Sequence, residues 1–121
     1  MRDDASADLQ FDIELLSGEA WQAAHFPSRP LVPGVVLLQN LQFGCRQVDA
    51  MLGALLELRQ VRFIGPVVAP ARLHIAARRS GAWLHCTAVR AAGEVVLRAQ
   101  LRFATRSAAP RSDTNSSAGE S

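Results

Sequence analysis

A chain of 121 residues can build one hydrophobic core but not two. Its formal charge is only +2 at pH 7, and 49% of its residues are apolar, an ordinary balance for a globular domain. No apolar run is long enough to span a bilayer, and no aromatic residues interleave with basic ones as base-stacking surfaces require, so membrane insertion and nucleic-acid binding are both disfavoured.

The first ten residues, MRDDASADLQ, are polar and acidic, unlike a secretory signal or a transit peptide. A flexible segment over 1–10 and a cytoplasmic location are expected. "FDIELL" (11–16) alternates as a strand and stops at Ser17-Gly18. "WQAAHF" follows, then "PSRPLVPG", whose three prolines forbid regular helix. From there the period changes. Leu37, Leu41, Gly44, Cys45, Val48, Met51 and Leu52 share one face at helical spacing, while Gln39, Gln42, Arg46 and Asp49 form a polar stripe. This predicts a helix from about Val35 to Leu52, closed near Gly53.

Four strands are predicted beyond it: "LLELRQVRF" (55–63), "ARLHIAARR" (71–79), "AWLHCTAVR" (82–90) and "EVVLRAQLRFAT" (94–105). Gly65-Pro66, Ser80-Gly81 and Ala92-Gly93 separate them. In the last, Val95, Leu97, Ala99, Leu101 and Phe103 oppose Arg98, Gln100 and Arg102, the pattern of an antiparallel sheet with one wet face. Residues 106–121 are small and polar and predict a disordered tail. The domain is thus expected over 11–105, an α+β layer in which a curved antiparallel sheet wraps one long helix.

Cys45 and Cys86 are too few for a disulfide scaffold or a zinc site and read as buried free thiols. His25, His74 and His85 have no ligand cluster around them, so no metal is expected. His74 and His85 fall on the wet faces of strands and read as inert. Every basic side chain is arginine, and Arg59, Arg62, Arg72, Arg78, Arg79, Arg90, Arg98 and Arg102 load the second half with positive charge. A partner bearing phosphate or carboxylate groups suits that half.

"HFPSRPLVPGVVLLQ" (25–39) resembles the signature of the FabZ/FabA-type 3-hydroxyacyl-(acyl carrier protein) dehydratases, roughly H-F-P-x-x-P-x-x-P-G-V-x-x-x-E/D. His25, Phe26, Pro27, Pro30, Pro33, Gly34 and Val35 are in register. "VRFIGPVVAPARL" (61–73) resembles the same family's A-R-F-x-x-P-V-x-P-G-D segment. The resemblance implies a hot-dog fold, a dimer whose two sheets join, and an active site between subunits where the histidine of one chain faces a helix carboxylate of the other. It implies no cofactor beyond the carrier's own phosphopantetheine. Three departures mark a divergent member: Gln39 stands where the family has Glu or Asp, Ala24 precedes the histidine in place of glycine, and the segment after the helix is short. Small dehydratases of aryl-polyene or polyketide-like pigment pathways are candidates.

In that setting His25 is the expected base for the C2 proton, since neutral imidazole accepts a proton near working pH. Gly34, at the amino end of the helix, offers a backbone N–H to the thioester oxygen. Phe26, Pro27, Val32, Pro33 and Val35 are expected to line the acyl or pantetheine slot. Gln39 can donate a hydrogen bond but cannot transfer a proton near neutral pH. Three routes remain open: His25 performs both proton transfers, a second hot-dog subunit contributes the acid, or the chain is not an enzyme but binds acyl thioesters. Thioesterase chemistry ranks last, because it also wants a carboxylate near the helix start. Acyl carrier protein is the expected partner, docked by some of Arg59, Arg62, Arg78 and Arg79.

Overall fold

A computed structural model of the chain describes residues 7–16 and 31–106. Strand β1 (Leu9–Leu15) leads to helix α1 (Gly34–Val48), followed by β2 (Leu52–Phe63), β3 (Ala71–Ser80), β4 (Trp83–Arg90) and β5 (Val95–Thr105). The strands form one antiparallel sheet in the order β1-β3-β4-β5-β2, and α1 packs on one face of it. The predicted α+β architecture of a helix held by a curved antiparallel sheet is the one observed. The expectations for residues 1–6 and for the tail beyond 106 lie outside the described residues; β1 itself already begins at Leu9, inside the stretch expected to be flexible.

Strict alternation makes the sheet two-faced. In β1, Leu9, Ile13 and Leu15 are buried while Gln10, Asp12 and Glu14 are exposed. In β3 and β4 the buried sets are Leu73, Ile75 and Ala77, and Leu84, Cys86 and Ala88. In β5 alternation breaks where Val96 and Leu97 are consecutive and both buried, because the β4–β5 register slips between Ala88 and Val89. Val36, Leu37, Leu41 and Cys45 close the core from the helix side, with no polar side chain buried among them.

The helix stops at Val48, four residues before the predicted end. Asp49 is the reason. Its N–H still donates to the Cys45 carbonyl, but its backbone is extended, and its Oδ1 accepts the Met51 N–H at 3.0 Å. Arg79 reaches across from β3 to the same carboxylate. Met51 and Leu52, assigned to the helix face by periodicity, are instead a turn and the first residue of β2, which starts three residues earlier than expected. Leu52 pairs with Thr105 there. An apolar residue at the right angle continues a helical pattern on paper, whatever the cap before it does to the backbone.

The two free thiols are buried as expected, and the Cys86 Sγ–H donates to the Leu84 carbonyl at 3.9 Å. The neighbouring Cys45 thiol and then burial push the Cys86 thiol far above its ordinary range, which keeps it protonated.

The helix approaches β1 closely at Gly44. A Cβ there would stand 2.1 Å from Cε2 of Phe11, with two more ring atoms within 2.7 Å. Gly44→Ala should therefore destabilise the fold by about 1–3 kcal/mol through overpacking, against the gain of up to about 1 kcal/mol that alanine normally brings to a helix. Denaturant melts check this, and Gly44→Ala combined with Phe11→Leu should cost less than the two single changes added together.

Candidate functional site

The two sequence signatures meet in space. Leu31 forms an isolated antiparallel bridge with Val68, and the Val32 N–H donates to the Val67 carbonyl at 2.8 Å. This fastens the segment leading into α1 onto the β2–β3 connection. Val67 and Val32 are both buried at the junction. Ile64, just past β2, donates its N–H to the Val96 carbonyl at 2.8 Å, and the Arg90 guanidinium donates to the Pro66 carbonyl, so the connection is anchored where it leaves β2.

Pro33 caps α1 with an extended backbone and supplies no side-chain hydrogen bond, and the first turn has no acidic residue. Among the described residues, Val36 and Leu37 are served there, both donating to the Pro33 carbonyl. The leading amides of a helix have no partner within it, and the dipole makes that end favourable for an oxygen carrying negative charge. Gly34 thus stands where the sequence placed it, as the first residue of the helix. The space beside it is not open, however. A Cβ on Gly34 would come within 2.7 Å of the Phe63 ring, so the glycine here first accommodates that ring. Phe63 is the residue that sequence reasoning missed. Its place in the second signature marked it, but no spacing rule says which backbone atom its ring covers.

Val35, Gln39 and Phe43 follow one another at four-residue steps and are all exposed, so they form one open stripe down the helix. The sheet does not wrap this side. Val35 is 55% exposed and Phe43 59%, and Leu56, Phe63 and Ile64 are exposed on and just after β2. The structure brings Val32, Pro33, Gly34, Val35 and Gln39 together along the first turns of α1. His25, Phe26 and Pro27 lie outside the described residues.

No described carboxylate serves this end of the helix. Asp8 accepts the Arg79 N–H, Asp12 faces His74 at 2.9 Å, Glu14 pairs with Arg72 and Asp49 with Arg79. Glu57 pairs with Arg102, and Glu94 with Arg90. His74, expected to be inert on a wet face, is half-buried and bonded to Asp12, because β1 covers it from the next strand. His85 is exposed as expected. Among the described residues, no group of three or more His, Cys, Asp or Glu is placed to hold a metal, and no helix is long and apolar enough to cross a membrane.

A family model described as ApeI-like, ApeI dehydratase, matches residues 1–104. The chain belongs to the ApeI-like dehydratase family. Among solved structures, this ApeI-like chain is similar to the dehydratase heterocomplex ApeI:P from Xenorhabdus doucetiae, at 17% identity and a TM-score of 0.67 over 78% of this chain and 84% of that one. It is similar to the pyran synthase domain from module nine of the sorangicin pathway, at 14% identity and a TM-score of 0.56 over 85% of this chain but 36% of that one. It also resembles a hypothetical protein of the thioesterase superfamily from Thermus thermophilus, at 11% identity and 0.55 over 88% of each chain. At such identities these likenesses establish the hot-dog fold and leave the chemistry to the residues. No curated protein matches the sequence.

The Asp49 pair gives a pH-dependent contribution. Its hydrogen bond from Arg79, then that from the Met51 N–H, hold its carboxyl below the usual range. A depressed carboxyl stabilises the fold above its unfolded pKa of about 3.9 and loses that contribution as pH falls through the lower folded value. Asp49→Asn should therefore be less stable than the parent at neutral pH, with the gap closing as the solution is acidified below about pH 4. Thermal melts across pH check it.

Proposed function

We propose that this chain is one hot-dog subunit of a 3-hydroxyacyl-(acyl carrier protein) dehydratase, and that a second hot-dog subunit supplies the acid it lacks. The observation that carries the reading is Gln39, exposed a little more than one turn beyond the helix start, in a chain whose described carboxylates are all bonded elsewhere. The likeness to a dehydratase heterocomplex supports it, as does the apolar stripe of Val35 and Phe43 next to exposed Leu56 and Phe63. β2 ends the sheet, so its outer edge offers free N–H and C=O groups to a second subunit's strand.

In this reading the thioester oxygen takes a hydrogen bond from the Gly34 N–H, which stabilises the enolate formed as His25 removes the C2 proton. The C3–O bond then breaks, and the partner's carboxylic acid protonates the departing hydroxyl as water. The product is the trans-2-enoyl thioester. Gln39 donates a hydrogen bond to that hydroxyl and holds it in place without transferring a proton. Phe26, Pro27, Val32, Pro33 and Val35 line the slot for the acyl or pantetheine chain, and the acidic carrier protein delivers it.

The test is dehydration of a 3-hydroxyacyl-carrier thioester, with the enoyl product followed by mass. The chain alone should turn over poorly, and co-expression with a hot-dog subunit bearing the helix carboxylate should restore the reaction. Gln39→Glu should raise the rate of the chain alone by roughly a hundredfold or more, and His25→Ala should lower the rate of the complex by roughly a hundred- to ten-thousandfold. Full activity of the unpaired wild-type chain, unchanged by Gln39→Glu, would remove the need for a partner's acid. A free hydroxy acid as the main product would transfer the chain to thioester hydrolysis.

A further inference from the structure

On the sheet face turned away from α1, three successive cross-strand rungs link β2 to β5, and their chemistry differs. Glu57 sits opposite Arg102 and bonds to it at 3.0 Å. Arg59 sits opposite Gln100 and donates to its side-chain oxygen at 2.7 Å, while its guanidinium lies 3.8 Å from the centre of the Trp83 ring. The third rung sets Arg62 opposite Arg98, two like charges on adjacent strands. Neither guanidinium makes a hydrogen bond or ion pair among the described residues. Like charges in that relation are mutually destabilising, whereas the other two rungs are matched.

The backbone goes out of its way to create this rung. Between Arg59 and Arg62 the β2–β5 register shifts through a bulge, and Gln60 within it has φ 52°, in the left-handed region that non-glycine residues seldom occupy. Beside the bulge lies an open cavity of about 590 Å³, lined by Gln60, Arg62, His85, Thr87, Arg98 and Gln100. Thr87 pairs with Arg98 and His85 with Gln100 on the neighbouring strand, so the four polar groups form a patch with no carboxylate in it.

We propose that this cavity is a binding site for a phosphate monoester, with the phosphate held between Arg62 and Arg98. Two guanidinium forks with a hydroxyl and an imidazole beside them match the three outer oxygens of such a group, and a bound dianion turns the like-charge rung into an attractive one. The cavity is much larger than a phosphate ion, which leaves room for a phosphate carried on an organic body. The site lies across the sheet from Gly34 and Gln39 and is independent of the dehydratase reading.

Calorimetric titration of the full chain at low salt, with inorganic phosphate in one arm and pantetheine 4′-phosphate in the other, tests the site, with acetate and chloride at matched ionic strength as controls. Saturable binding in at least one phosphate arm is expected, weakened roughly tenfold or more in Arg62→Gln and in Arg98→Gln. Arg106→Gln, at the far end of β5, should bind as the parent does. Tighter binding of the pantetheine ester identifies an organic phosphate as the occupant, and equal binding identifies free phosphate; both support the site. As a second readout, phosphate should raise the melting temperature of the parent but not of either arginine variant. Absence of saturable binding, binding unchanged in both variants, or equal binding of acetate would overturn the proposal.

Discussion

The arrangement depends on a short stretch of backbone pairing between segments far apart in the chain. Leu31 bridges Val68, Val32 bonds to Val67, and Phe63 lies against Gly34. That fastening and the burial of Val36 and Leu37 in the core fix the start of α1 relative to the sheet, since the helix has no side-chain cap of its own. The helix lies on β1 further along, where Gly44 admits the Phe11 ring, and its far end is held by Asp49 and Arg79. Three contacts of different kinds therefore set its axis: backbone pairing, ring against glycine, and charge.

The same positioning explains what this chain can and cannot contribute to chemistry. A helix start free of capping side chains and acidic residues is suited to an oxygen that gains charge. The described carboxylates are committed to arginines, to His74, or to a backbone amide. The bonds from Arg79 and the Met51 N–H hold the Asp49 carboxyl below its usual range, which makes it a poor proton donor at neutral pH. Among the described residues, the helix start is thus left without an acid beside it, and the exposed stripe of Val35, Gln39 and Phe43 runs on from it.

Much of this was legible in the sequence because period-two and period-3.6 patterns report faces directly. Every strand after the helix was found, since Ser80-Gly81 and Ala92-Gly93 are turn chemistry: Gly81 and Gly93 both have positive φ. The helix start was legible because Pro33-Gly34 changes the period at once. Its end was not, because Met51 and Leu52 continue the apolar phase past a cap made by Asp49 with groups from elsewhere in the fold. The candidate slot was readable as a row of residues from Val32 to Gln39, whereas Phe63 was not, because a contact between distant segments leaves no local period. Likewise, arginines read as one positively charged set divide in three dimensions into matched rungs and one mismatched rung, a distinction that depends on a bulge at Gln60 that no alternation predicts.

The placement of β2 has a consequence for how such a chain exists in a cell. Among the described residues, the twelve of β2, with exposed Leu56 and Phe63 among them, end the sheet with one side unshared. Molecules synthesised without a mate carry a sticky border that can recruit other extended polypeptide, including copies of themselves. The kink at Gln60 interrupts that border and denies long uninterrupted lamination. How much of the chain stays dispersed then depends on that border more than on the durability of the core behind it.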